Sequence, residues 1–210
     1  MTPDGFTMVN MPLDALLTQG LQVNPDQIVG EPGWAKSDRW NVEAKVAGED
    51  VDALARMTFA QRQAMFQQVL ADRFGMKVHG ETRELPVYAL VVAKGGAKVT
   101  ESKAAPDMAS GGKGSLPRIT PGPRDGDLTG QNVTMDVLAS VLSRYVDRSV
   151  IDKTGLTGSY DLAIRWAGGA DTSGPSIFTV VQEQLGLRLE PTKAPVPVIV
   201  IDHLERPREN

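Results

Sequence analysis

The chain has 210 residues, with 22 Lys and Arg against 26 Asp and Glu, for a net charge of −4. It has no Cys and two His, which excludes disulfides, thiol nucleophiles, thiolate zinc sites and three-histidine zinc centres. Its basic residues are scattered, so it carries no electrostatic footprint for nucleic acid.

The first predicted element is a helix with Leu13, Leu16, Leu17 and Leu21 on one face. Thr58-Phe-Ala-Gln61 has the form of a capping box, opening a helix whose stripe is Phe59, Phe66, Leu70 and Phe74. Gly75 stops that helix, because glycine enters the left-handed region cheaply. Met76 to Glu81 and Leu85 to Ala93 read as a strand pair, a hairpin. Residues 94–127 then hold seven Gly, four Pro and no aromatic, the composition of a long loop or linker. Beyond it, Met135, Leu138, Ala139, Leu142, Tyr145 and Val146 have helical spacing, and Ser159 to Trp166 is a strand. Ile177, Val180, Val181 and Leu185 line a helix that stops at Gly186. Leu187 to Pro191 and Val196 to His203 form the last pair, with Pro197 near an edge or a strand start. No apolar run approaches the ~18 residues of a membrane helix.

The two sides of the linker match in order. Asn10 to Leu17 aligns with Asn132 to Ala139, and Ile28 to Trp34 with Val150 to Leu156, each 122 residues on. Trp40-Asn-Val42 aligns with Tyr160-Asp-Leu162. Phe66 to Gly75 aligns with Ile177 to Gly186, and Leu85-Pro-Val87 with Val196-Pro-Val198, each 111 residues on. The expectation is an α+β chain of two related helix-strand-helix-strand-strand units, with helices packed on a mostly antiparallel sheet. Residues 1–93 and 128–210 are the units, joined by 94–127, either separate or packed as one domain.

Few motifs carry chemistry. Lys153-Thr-Gly155 and Ser110-Gly-Gly-Lys113 have the spacings of penicillin-binding enzymes, but the second is half glycine and lies in the linker, so a turn is the better reading. Asp125, Asp127 and Asp136 sit at positions one, three and twelve of a partial calcium loop, although Pro121-Gly-Pro123 blocks an entering helix. Asp136 equally suits the first turn of a helix. No other cofactor is expected. His79 and Glu81 share one strand face and could act as a base with its orienting carboxylate; a surface histidine with an ordinary neighbour is the plainer reading. His203 ends the last strand, and Asp202 beside it points to the other face, so the two cannot form a direct dyad. His79, Glu81 and Arg83 are replaced by Glu190, Thr192 and Ala194 in the second unit. That asymmetry marks the Met76–Ala93 hairpin, with Arg83 and Tyr88, as the place for a ligand or partner surface. Its plain alternative is drift on a solvated face.

Several blocks resemble a family of uncharacterised proteins from soil acidobacteria, the domain of unknown function numbered 3738. They are Gly30 to Trp40, Ala71 to Phe74, Glu81 to Lys94, Val150 to Tyr160, Glu183 to Leu187 and Ile201 to His203. The resemblance spans nearly the whole chain. It implies a periplasmic or secreted protein with a signal peptide and an early strand before the first helix; the expectation is that both are missing here, or that residues near Phe6-Thr-Met8 replace the strand. It carries over no activity. Each unit alone is also similar to the short N-terminal domains of secretins and TonB-dependent receptors, which are envelope interaction modules.

The resulting expectation is a non-catalytic envelope module that binds another envelope protein or a small ligand, with no nucleic acid and no membrane span. The alternative is a hydrolase of esters or lactones with His79 or His203 as base, with or without calcium. No Gly-x-Ser-x-Gly elbow is present to serve it.

Overall fold

The computed structural model describes residues 5–45, 56–102, 118–121, 126–167 and 174–207. The first half of the chain runs β1 (Gly5–Pro12), α1 (Leu13–Leu21), a 3₁₀ turn (Pro25–Gln27) and β2 (Ile28–Val29). It continues through α2 (Trp34–Ser37), β3 (Arg39–Lys45), α3 (Phe59–Phe74) and β4 (Lys77–Val92). The second half runs β5 (Thr100–Glu101), β6 (Arg118–Pro121), β7 (Asp127–Val133), α4 (Met135–Leu142) and β8 (Val150–Asp152). It ends with β9 (Tyr160–Arg165), α5 (Ile177–Leu185) and β10 (Leu187–His203). The class is α+β.

Local signals place the helices. Thr58 accepts a hydrogen bond from the Gln61 amide at 3.3 Å, and the Gln61 side chain accepts one from the Thr58 amide at 2.8 Å. That is the capping box, and it opens α3. Gly75 and Gly186 close α3 and α5 at φ of 57° and 63°. The Phe59 side chain lies outside the described residues, whereas Phe66, Leu70 and Phe74 are buried. α4 ends earlier than its spacing implies. The Ser143 hydroxyl donates to the Ala139 carbonyl at 2.9 Å and accepts from the Val150 amide at 2.8 Å, which turns the chain toward β8. Tyr145 instead meets Trp166 edge-on at 4.9 Å.

Both predicted strand pairs are corrected. Met76–Ala93 is not a hairpin; β4 is one strand, and so is β10. Between Glu81 and Leu85 stand Thr82, Arg83 and Glu84, none of which has the turn chemistry of Gly, Pro, Asn or Asp. The two long strands pair with each other, in a sheet ordered β2-β10-β4-β8. Their direction is antiparallel, since His79 lies beside Asp202 while Ala93 donates to Gly186. A strand also precedes each unit's first helix, β1 and β7, beyond the sequence expectation for the second unit.

The repeat is reproduced in hydrogen bonds. β1 pairs with β3, and its register shifts between Met8 and Met11. There Asn10 takes φ 56°, and its amide donates to the Asn41 side chain at 2.8 Å. β7 pairs with β9, shifting between Gly130 and Val133. Asn132 also takes φ 56°, and its amide donates to the Asp161 carboxylate at 2.9 Å. Each is a bulge built on a residue type that tolerates the left-handed region. The short strands repeat too. β2 runs parallel to β10 with Ile28 opposite Ile199, and β8 runs parallel to β4 with Val150 opposite Tyr88. Each half of the sequence therefore docks its short strand on the long strand of the other half.

Two compact units result, Met1–Arg83 with Pro195–Asn210, and Glu84–Ala194. This grouping differs from a linear division at 94–127, because the boundaries fall within β4 and β10. The described parts of 94–127 are not all loop: β5 pairs with β9 and β6 with β7. The first unit's core joins Leu13, Leu16 and Leu17 of α1 to Leu70 and Phe74 of α3, Ile28 and Ile201. The second joins Leu138 and Leu142 of α4 to Val180 and Leu185 of α5, Leu90, Leu162 and Leu187. Each such buried side chain contributes about 1.5–3 kcal/mol.

The two helix-ending glycines differ in what surrounds them. A Cβ on Gly186 would stand 2.1 Å from the Gly96 carbonyl oxygen, whereas one on Gly75 would first meet the Glu205 side chain at 3.0 Å. Both positions charge an alanine for its left-handed backbone, about 1 kcal/mol. Gly75→Ala should cost little more than that, because Glu205 can swing away. Gly186→Ala should cost roughly 3 kcal/mol, or ~10 °C in Tm, because backbone must move. Thermal unfolding of the two variants checks the order.

Candidate functional site

Period-two alternation puts His79, Glu81 and Arg83 on one face of β4. The structure adds Asp202 from β10. His79 Nδ1 lies 2.9 Å from both Asp202 carboxylate oxygens, and Nε2 lies 3.1 Å from Glu81 Oε1. The other Glu81 oxygen accepts from Arg83 Nε at 2.8 Å. The result is a row of four alternating charges, Asp202, His79, Glu81 and Arg83. The side chains are 40–47% exposed, so no cavity encloses them. Asp202 first, then Glu81, raises the His79 pKa above its ordinary value. Arg83 first, then His79, holds the Glu81 carboxyl below its usual range.

This arrangement does not prepare a general base. A base needs a free ring nitrogen aimed at a substrate hydroxyl or water. Both His79 nitrogens face carboxylates, and no Ser or Thr hydroxyl joins the row among the described residues. His203 Nε2 lies 3.6 Å from Glu205, beyond hydrogen-bond length, and its side chain is 52% exposed. Asp202 is the member that sequence reasoning missed as a partner of His79. Strand parity correctly separated it from His203, but no local signal indicates that β10 lies beside β4.

Tyr88, half-buried on β4, has three side-chain partners among the described residues. Its hydroxyl donates to Asp147 at 3.0 Å, Arg148 lies over its ring at 5.4 Å, and Phe178 meets it edge-on at 5.2 Å. Burial first, and then Asp147, raises its phenol pKa. Asp127 receives Arg165 Nε at 2.7 Å from within β7, and Asp136 is exposed in the first turn of α4. Asp125 lies outside the described residues, as do Ser110 and Lys113. Among the described residues, no group of three or more His, Asp or Glu side chains is placed to hold a metal ion. Lys153-Thr-Gly155 follows β8 as a turn, with the Thr154 amide donating to Asp152 at 2.8 Å and Gly155 at φ 70°. A surface groove of about 320 Å³ in the second unit, lined by Phe178, Gln182, Glu183 and Arg188 among others, shares no residue with the His79 row.

The outer edge of β4 is the remaining feature. The Tyr88 amide donates to Ser149 and the Leu90 carbonyl accepts from Lys153, both toward β8. By the same alternation, Val78, Gly80 and Thr82 aim their amides and carbonyls at that side. Among the described residues, no strand pairs with them. A Cβ on Gly80 would meet nothing within 4 Å. The outer edge of β10 is different. The Pro197 carbonyl accepts from Gln27 on that side, so Pro191 and Pro195 share it and remove donors from it. Pro191 is the residue that the repeat aligns with Gly80.

A family model described as Protein of unknown function (DUF3738) matches residues 14–204. The chain belongs to that family. No curated protein and no solved structure matches it. The DUF3738 region takes in the second core, the buried residues of the first except Leu13, the His79 row and the outer edge of β4. Its Gly30–Trp40 block is structural. Glu31 pairs with Lys36 at 2.6 Å, and Trp34 and Trp40 meet edge-on at 6.5 Å. Arg206 lies over Trp34 at 5.1 Å while bonding Asp38 at 2.9 Å, which ties down the last residues of the matched segment and those just beyond it.

Tyr88 in this DUF3738 chain should behave as an anchor. Tyr88→Phe removes one hydrogen bond and should cost about 1 kcal/mol. Tyr88→Ala strips the ring from Phe178 and Arg148 and should cost roughly 2–3 kcal/mol. Denaturant titration measures both; an unchanged midpoint for the alanine variant would contradict the anchoring role.

Proposed function

We propose that this protein is a non-catalytic interaction module of the bacterial envelope, periplasmic or secreted, that takes up an extended segment of a partner protein along the outer edge of β4. The observation that carries the reading is the run His79-Gly-Glu-Thr82, exposed and, among the described residues, met by no strand on its outer side, in contrast to a β10 edge guarded by proline. Strand addition uses backbone donors and acceptors for affinity, and an edge of this kind is its template. The second support is the resemblance of each unit to small envelope interaction modules, which is an analogy of fold and pattern. Hydrolysis has no comparable support, since among the described residues neither histidine combines a free nitrogen with a hydroxyl and a concavity. The reading requires no cofactor.

The repeat itself supplies the blocking substitution. Gly80→Pro installs what Pro191 places at the equivalent position. It removes an outward amide that bonds no described strand, so the fold should hold within a few degrees of Tm. Gly80→Ala keeps the amide and is the control. Capture of partners from an envelope fraction, quantified for the three proteins, should fall at least about tenfold with Gly80→Pro and hold with Gly80→Ala. Equal capture by all three would sink strand addition. Turnover of an ester or lactone that disappears with His79→Ala or His203→Ala would restore the hydrolytic reading.

A further inference from the structure

We infer that His79 is a proton-dependent clasp between β4 and β10, bridging Glu81 and Asp202 as an imidazolium and releasing one of them on losing its proton. The argument is a count of donors. An ionised carboxylate only accepts, and a neutral imidazole has one N–H. His79 presents Nδ1 to Asp202 at 2.9 Å and Nε2 to Glu81 at 3.1 Å. Two N–H donors are needed to make both bonds, and only the cation has two. The neutral ring keeps one carboxylate and turns a lone pair toward the other.

The groups facing His79 all act in the same direction or are already engaged. On β4, Glu81 attracts the cation, and Arg83 is tied to Glu81 on the side away from the ring. Lys77 shares the exposed face, two residues before His79. On β10, Asp202 attracts the cation. His203 and Glu205, next along the chain, lie opposite one another at 3.6 Å. The sign follows from the raised His79 pKa. The double link is complete below the ordinary histidine range and is lost as pH rises through the higher folded value.

The second unit shows why this is a property of one edge. The repeat puts Glu190 where His79 stands, and Glu190 pairs with Arg188. The proline-guarded edge thus carries an arginine–carboxylate pair, while the β4 edge carries a row built on a histidine. The clasp stands on its own geometry; its bearing on partner capture rests on the strand-addition reading.

The test is ¹⁵N NMR of the labelled full chain. His79 should titrate above the ordinary histidine value, with both ring nitrogens protonated at pH 6. Asp202→Asn and Glu81→Gln should each lower its midpoint toward that ordinary value. A His79 that titrates at or below the ordinary value, or that is indifferent to both substitutions, overturns the clasp whatever the partner does. Capture is then measured between pH 6 and pH 9 for the native chain and His79→Ala. A pH dependence present in the first and absent in the second links clasp to edge. Capture that depends on Gly80 but not on pH overturns that link and leaves strand addition standing. Capture indifferent to Gly80→Pro overturns strand addition and leaves the NMR result intact.

Discussion

The structure depends on an exchange of strands between the halves of its own sequence. β2 finds its partner in β10 and β8 finds its partner in β4, at positions that the repeat makes equivalent. Two residues of β2 and three of β8 are far too little to stand as strands alone. They persist because each is backed by a long strand that is itself anchored in an apolar core. Ile28 and Ile201 are buried in the first unit, and Leu90 and Val150 in the second. Each core therefore needs residues from both halves, and neither half can complete its own.

That exchange decides what remains free. Among the described residues, a parallel strand that covers two or three positions leaves the rest of a long edge without a partner, and unpaired edges invite unwanted association. On β10 the answer is proline, at 191, 195 and 197, with Gln27 satisfying one carbonyl. On β4 the equivalent of Pro191 is Gly80, which blocks nothing. Two related strands in equivalent settings thus differ in the feature that controls strand addition. The charge row differs along with it: His79 with its carboxylates flanks the open edge, and Arg188 with Glu190 flanks the guarded one.

Much of this was legible residue by residue, and the reasons are local. Thr58 and Gln61 sit three apart and bond within one turn, so the sequence suffices to place the start of α3. Gly75 and Gly186 end helices because of their own backbone freedom. The matching of Asn10 with Asn132 and of Asn41 with Asp161 reappears as two bulges with the same φ and the same amide-to-side-chain bond. His79 and Glu81 were placed on one face by alternation, and they touch. What failed was pairing at a distance. Apolar stretches flanking Thr82-Arg-Glu84 look like two arms of a hairpin unless the partner is known to lie more than a hundred residues away. The same gap hid Asp202, which approaches His79 across 123 residues of sequence.

By itself, the sequence determined four of the five described helices, the caps at Thr58, Gly75 and Gly186, the repeat, the α+β class and the chemistry excluded by the lack of cysteine. Those follow from composition and from interactions within a few residues, which the chain carries wherever it folds. Tertiary structure alone decided that β4 and β10 are single strands paired to each other, that each unit borrows from the other half, and which edge meets no strand among the described residues. Strand pairing is fixed by burial of apolar faces and by hydrogen bonds between segments far apart, and alternation constrains the face of a residue without naming its neighbour. The sequence could say which side of β4 His79 occupies; only the packed sheet could supply Asp202 to meet it.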